Sequence, residues 1–266
     1  MNAGTTDWSI LLPALIAGLL VLATHVPLGA QVLERGIVFI DLAIAQIAGV
    51  GVIAADAFGF EPQGWAVQAA ALAAALLGAL LLTWTERRWP QIQEAMIGVL
   101  FVLASCTALL LLAGNPHGGE HLKDLLVGQI LWVSTPQLAG MAVLTALVLT
   151  AWFGLRERLG RAGFYLLFAL AVTASVQLVG VYLVFSSLIV PALAVRGLRA
   201  AWRLPLAYLI GALGYLLGLA LSARFDLPSG AVVVLVMCAI APLLPLLLAR
   251  RVRLARVAQA GSSGAG

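Results

Sequence analysis

Apolar residues in this chain gather in nine long runs, at about 9–24, 37–56, 65–84, 95–113, 138–153, 163–179, 181–195, 204–222 and 230–249, with short polar or charged connections between them. A helix needs about 20 residues, within a range of roughly 17–25, to cross the hydrocarbon core of a bilayer. The pattern predicts an all-α integral membrane protein. One stretch is ambiguous. Residues 163–195 read either as one over-long helix or as two shorter ones meeting at Val179-Gly180-Val181.

Charge resolves the ambiguity, because cytoplasmic loops are enriched in Lys and Arg. With two spans in that stretch and the N-terminus outside, the cytoplasmic side receives Arg35, Arg87, Arg88, Arg156, Arg158, Arg161, Arg196, Arg199, Arg203, Arg250, Arg251, Arg253 and Arg256, which are 13 of the 15 Lys and Arg residues. Only Lys123 and Arg224 fall outside. With a single span, the connections at 154–162 and 196–203 lie on opposite sides and the bias weakens. The expectation is nine transmembrane helices, N-out and C-in. Trp8, Trp65, Trp84, Trp89 and Trp132 stand near span ends, where interfacial belting accounts for them.

Outside, a hairpin at 57–64 holds Glu61, Pro62 and Gly64, and the long connection at 114–137 opens on the turn sequence Gly114-Asn115-Pro116. From Glu120 to Trp132 the residues suit a short surface helix. Residues 1–257 form a single transmembrane domain, and the small-residue tail at 258–266 is expected to be disordered.

Composition agrees. The chain of 266 residues is 63% hydrophobic and 10% charged, against roughly 45–50% and about 25% in soluble domains. Its mean hydropathy is +1.08. Lipid must cover the surplus apolar surface. Met1 to Trp8 carries Asp7 but no Lys or Arg, unlike the basic start of a secretory signal, so the first run is expected to stay as a span. Cys106 and Cys238 sit inside apolar runs, where Cys acts as a small hydrophobe. The net charge of +4 sits between spans and makes no nucleic-acid face. No Gly-rich phosphate loop ending in Gly-Lys-Ser/Thr is present, so the chain does not hydrolyse a nucleotide by that route.

Four stretches resemble the permease subunits of bacterial ABC importers for zinc, manganese or iron. They are Arg35-Gly36-Ile37-Val38-Phe39-Ile40-Asp41-Leu42-Ala43, Glu94-Ala95-Met96-Ile97-Gly98-Val99-Leu100-Phe101, the segment from Asp124-Leu125-Leu126 to Val133-Ser134, and Gln177-Leu178-Val179-Gly180-Val181 running on to Ile189-Val190-Pro191-Ala192. Their order and spacing cover residues 30–195. The resemblance implies a type II-like importer permease fold in the bacterial plasma (inner) membrane and a two-fold homodimer. It also implies cytoplasmic ATP-binding-cassette subunits, a periplasmic or extracellular metal-binding protein, and alternating access driven by ATP on the partner. No permanently bound cofactor is implied, only a transported divalent metal ion.

The chain departs from that family in two places. Four residues after the Asp of the second span the family has a His; here position 45 is Ala, and with one residue inserted the counterpart is Gln46. Gln is a poor zinc ligand. The coupling segment is compressed to the stretch from Gly154 to Gly163.

Asp41 is the first candidate for the translocation path. A carboxylate at membrane depth costs about 2.5–3.5 kcal/mol on insertion scales and faces a cavity or a partner. The alternative is a helix N-terminal carboxylate stabilised by the dipole near Arg35. Gln46, Gln177, Ser186 and Ser187 either line the path or bond between helices. In the outer connection, His117-Gly118-Gly119-Glu120-His121 has the H-x-x-E-H spacing of one zinc protease class, but Pro116 and two glycines disfavour the helix that chemistry needs. With Asp124, these residues suit either an ordinary solvated polar loop or an outer metal-docking site. Arg156, Glu157, Arg158 and Arg161, with Arg196 and Arg199, are candidates for ATPase coupling, beside their reading as positive-inside signals. The sequence thus points to a permease for a divalent transition metal, zinc or manganese. The alternatives are a permease for an iron-chelate or cobalamin-type cargo and, in another class, an intramembrane metalloprotease.

Overall fold

A computed structural model describes residues 8–60, 64–112 and 130–243. Among these residues every regular element is a helix, as the apolar runs predict. We number them α1 (Trp8–Arg35), α2 (Ile40–Ala57), α3 (Trp65–Arg88) and α4 (Gln93–Leu112), then α5 (Thr135–Leu155), α6 (Gly160–Val179), α7 (Val181–Val195), α8 (Ala200–Phe225) and α9 (Ser229–Leu243). Each predicted run holds one helix. Among the described residues, seven are long and apolar enough to cross a membrane; α7 is shorter, and α9 is described only as far as Leu243. With its 15 residues, α7 rises only about 22 Å at 1.5 Å per residue, less than the roughly 30 Å of the hydrocarbon core.

Residues 154–163 differ from expectation. They form no loop but continue the helices on both sides, broken at Gly160, where φ is 56° and ψ −157°. The chain turns back there. The rings of Trp152 and Phe164 lie 6.0 Å apart, whereas a straight helix would separate two such positions by about 18 Å. A second glycine, Gly180, ends α6 and starts α7 at φ 84° and ψ 162°, and its N–H bonds to the Val176 carbonyl at 2.8 Å. An L side chain at either φ is strained, which explains how so long an apolar stretch is divided.

Contacts between helices set the order of their ends. The Arg35 guanidinium at the end of α1 lies 4.3 Å over the Phe164 ring near the start of α6 and pairs with Glu86 near the end of α3 at 3.7 Å. Gln93 at the start of α4 bonds the Tyr165 hydroxyl at 3.2 Å. Along α1 and α8, Gly18 meets Tyr215 and Leu22 meets Gly211, so these helices run antiparallel. One end of the bundle therefore gathers Arg35, Arg87, Arg88, Arg161 and Arg199.

The core is built around α6, whose Tyr165 and Phe168 are fully enclosed. Large side chains of α4 and α5 such as Val102, Leu103, Leu147 and Phe153 are exposed. An apolar exterior around a packed interior is the arrangement lipid favours, because tails solvate Leu as well as other helices do.

Candidate functional site

Asp41 stands in the first turn of α2. It is 1% exposed, and neither carboxylate oxygen accepts a well-formed hydrogen bond. The backbone N–H groups of Asp41 itself and Leu42 act on it, as befits a helix N-terminus. Arg35 is not its counter-ion, being engaged by Glu86 and Phe164. Glu94 holds the start of α2 in place, its Oε1 accepting the Phe39 N–H at 3.3 Å, and its other oxygen is buried without a partner. An unpaired carboxylate in so dry a setting is what a cation would stabilise.

Because α2 is an unbroken helix from Ile40 to Ala57, the residue one turn beyond Asp41 on the same face is Ala45. Ala45 is 3% exposed and supplies only a methyl group. Gln46 is half-buried and turned about 140° from Asp41 at 3.6 residues per turn. The structure therefore puts Asp41 and Gln46 on different faces.

Ser187 is fully buried on α7, its hydroxyl 3.0 Å from that of Tyr215 on α8. Ser186 is buried beside it, whereas Gln177 is half-buried near the end of α6. Arg158, Arg161, Arg196 and Arg199 are exposed. Arg156 and Glu157 lie in the last turn of the helical run before Gly160. His117, Glu120, His121 and Asp124 fall outside the described residues, as does the tail at 258–266.

One polar residue escapes the sequence pattern because it stands just past the end of the first apolar run, beside Thr24. His25, midway along α1, is fully buried. Its Nδ1 lies 2.9 Å from the Val21 carbonyl and 3.0 Å from the Thr24 hydroxyl. A carbonyl only accepts, so in the neutral ring Nδ1 carries the hydrogen. Nε2 is then a lone pair, and it has no partner. Leaving such an atom unpaired costs roughly 1–3 kcal/mol. Among the described residues, no three His, Cys, Asp or Glu side chains gather into a group that could hold a metal ion.

The ABC 3 transport family matches this chain over residues 7–162 and 152–247. The chain belongs to that family. It is therefore a multi-pass membrane subunit of a transport family. Among its relatives is the uncharacterized membrane protein slr2045 of Synechocystis, 29% identical over 245 residues, which cover 84% of this chain and 85% of that protein. The manganese transport system membrane protein MntC of Halalkalibacterium halodurans is 26% identical over 251 residues, covering 86% and 84% of the two chains. In fold the chain is similar to PsaBC from Streptococcus pneumoniae in complex with Fab, with a TM-score of 0.70 at 20% identity over 88% of this chain and 90% of that one. It is also similar to a metal-chelate type ABC transporter in an inward-facing conformation, with a TM-score of 0.67 at 18% identity over 94% and 91%.

Proposed function

We propose that this protein is the membrane-spanning permease of an ATP-driven importer for a divalent transition metal ion, manganese or zinc. The observation that carries the reading is the near full-length likeness to the manganese transport system membrane protein, a relative in a transport family that matches both halves of the chain. Asp41 supplies chemistry consistent with it: a buried carboxylate without a partner lowers the barrier to a divalent cation, as carboxylates do in cation pores.

On this reading the chain works as a two-fold dimer, N-out and C-in, with nine crossings. A cytoplasmic ATPase docks at the arginine-bearing end of the bundle, on Arg158, Arg161, Arg196 and Arg199, with Arg156 and Glu157 beside them. An external metal-binding protein delivers the ion near His117, Glu120, His121 and Asp124. Gln46, Gln177, Ser186 and Ser187 complete the polar lining. The test is uptake of manganese and zinc ions, against ferric chelates, into vesicles holding the complex with its ATPase and its binding protein. Saturable, ATP-dependent uptake of the bare ions is expected. Uptake of a chelate alone would favour the bulky-cargo reading, which the methyl of Ala45 at the place of the family His also suits.

A further inference from the structure

The helices that carry His25 and Asp41, α1 and α2, both pack against α7. On α1, positions 18, 22, 25 and 29 recur at spacings of four, three and four, so they form one stripe. Gly18 on that stripe meets the Tyr215 ring and Leu22 meets Gly211, both on α8. Gly29 meets the backbone carbonyl of Leu188 on α7 so closely that it leaves no room for a Cβ. His25 falls on that stripe between Leu22, which meets α8, and Gly29, which meets α7. Phe185 of α7 stacks on Phe39, 6.5 Å between centroids and 4° between planes, two residues before Asp41. Phe185 and Leu188 are less than one turn apart. A single turn of α7 thus separates the start of the Asp41 helix from the His25 stripe, and both residues hold buried polar atoms without partners.

The imidazole is oriented as metal-binding histidines are, with one ring N–H anchored on a backbone carbonyl and the other nitrogen's lone pair left free. We propose that His25 Nε2 contacts the transported divalent transition metal ion as it passes α7, supplying the imidazole that Ala45 does not. The proposal rests on the permease reading above. A single imidazole makes a transient station, which suits a transport step because a cargo must leave as readily as it enters.

The test uses the complex with its ATPase and binding protein in vesicles, at matched abundance, and measures zinc and manganese uptake separately. His25→Leu is expected to lower metal uptake about tenfold, the effect of weakening a metal contact. His25→Cys is expected to move the zinc-to-manganese ratio about threefold or more toward zinc, because thiolate prefers the softer ion. His25→Gln, closest in size, covers the case in which another variant fails to assemble, and is expected to shift the ratio away from zinc. A purely structural histidine would leave the ratio untouched. An unchanged ratio in His25→Cys and His25→Gln, whatever the total uptake, overturns the proposal alone. Wild-type complex that takes up neither ion overturns the permease reading and this proposal with it.

Discussion

Asp41 and Ala45 lie one turn apart on the buried face of α2, and Asp41 has the clearest consequences of any single residue. Asp41→Asn keeps size and hydrogen-bonding capacity but removes the charge that would stabilise a cation. Metal uptake should fall about tenfold or more, with complex abundance and basal ATPase activity retained; normal uptake would mark Asp41 as a helix-end residue. Ala45→His should alter the relative uptake of zinc and manganese, because imidazole suits zinc better than manganese. Gln46→His should not, since position 46 is turned away from Asp41. Equal effects of the two substitutions would refute the register read from α2.

Among the elements, the glycines that shape the helix breaks and crossings carry the sharpest expectations. At Gly180, φ of 84° disfavours any side chain, so Gly180→Ala should destabilise the α6–α7 junction by roughly 1–3 kcal/mol. Gly29→Ala places a methyl group against the Leu188 carbonyl, and overpacking of this kind costs typically about 1–3 kcal/mol. Both variants should show lower thermal stability in detergent, whereas Gly98→Ala, whose Cβ meets open space, should not. A Gly29→Ala protein as stable as the parent would mean that α1 and α7 do not approach as described.

Across the described residues, Arg35, Arg87, Arg88, Arg161 and Arg199 gather at one end of the bundle, and Arg224 stands at the far end of α8. This arrangement fits the N-out, C-in reading, and labelling tests it directly. On a background lacking Cys106 and Cys238, single cysteines at 158 and at 199 should both resist an impermeant thiol reagent in intact cells and react once the membrane is opened. Labelling at one site but not the other in intact cells would mean that α6 and α7 together cross the membrane only once. Reversing the charge of Arg196 and Arg199 together should abolish cargo-stimulated ATPase activity while the permease still folds, because exposed charges at an interface act on docking far more than on folding. Retained stimulation would place the ATPase contact elsewhere.

Hydropathy alone determined where the helices lie, since a segment that must cross lipid has to be long and apolar, and each of the nine runs holds one helix. Charge alone determined which connections belong together, and Gly180 was legible as the point dividing 163–195. The reversal between 153 and 163 was legible as well, but not that it is made at Gly160 with helix on both sides, because the polar and charged residues around it read as a loop. Nor could the sequence say which face of α2 Asp41 occupies, that Arg35 is held by Glu86 and Phe164, or that His25 is buried with Nε2 unpartnered. In a membrane protein nearly every residue of a span is apolar, so the text of one helix says little about its neighbours. Close fit between small residues decides which helices touch, and that fit exists only once the whole bundle is assembled.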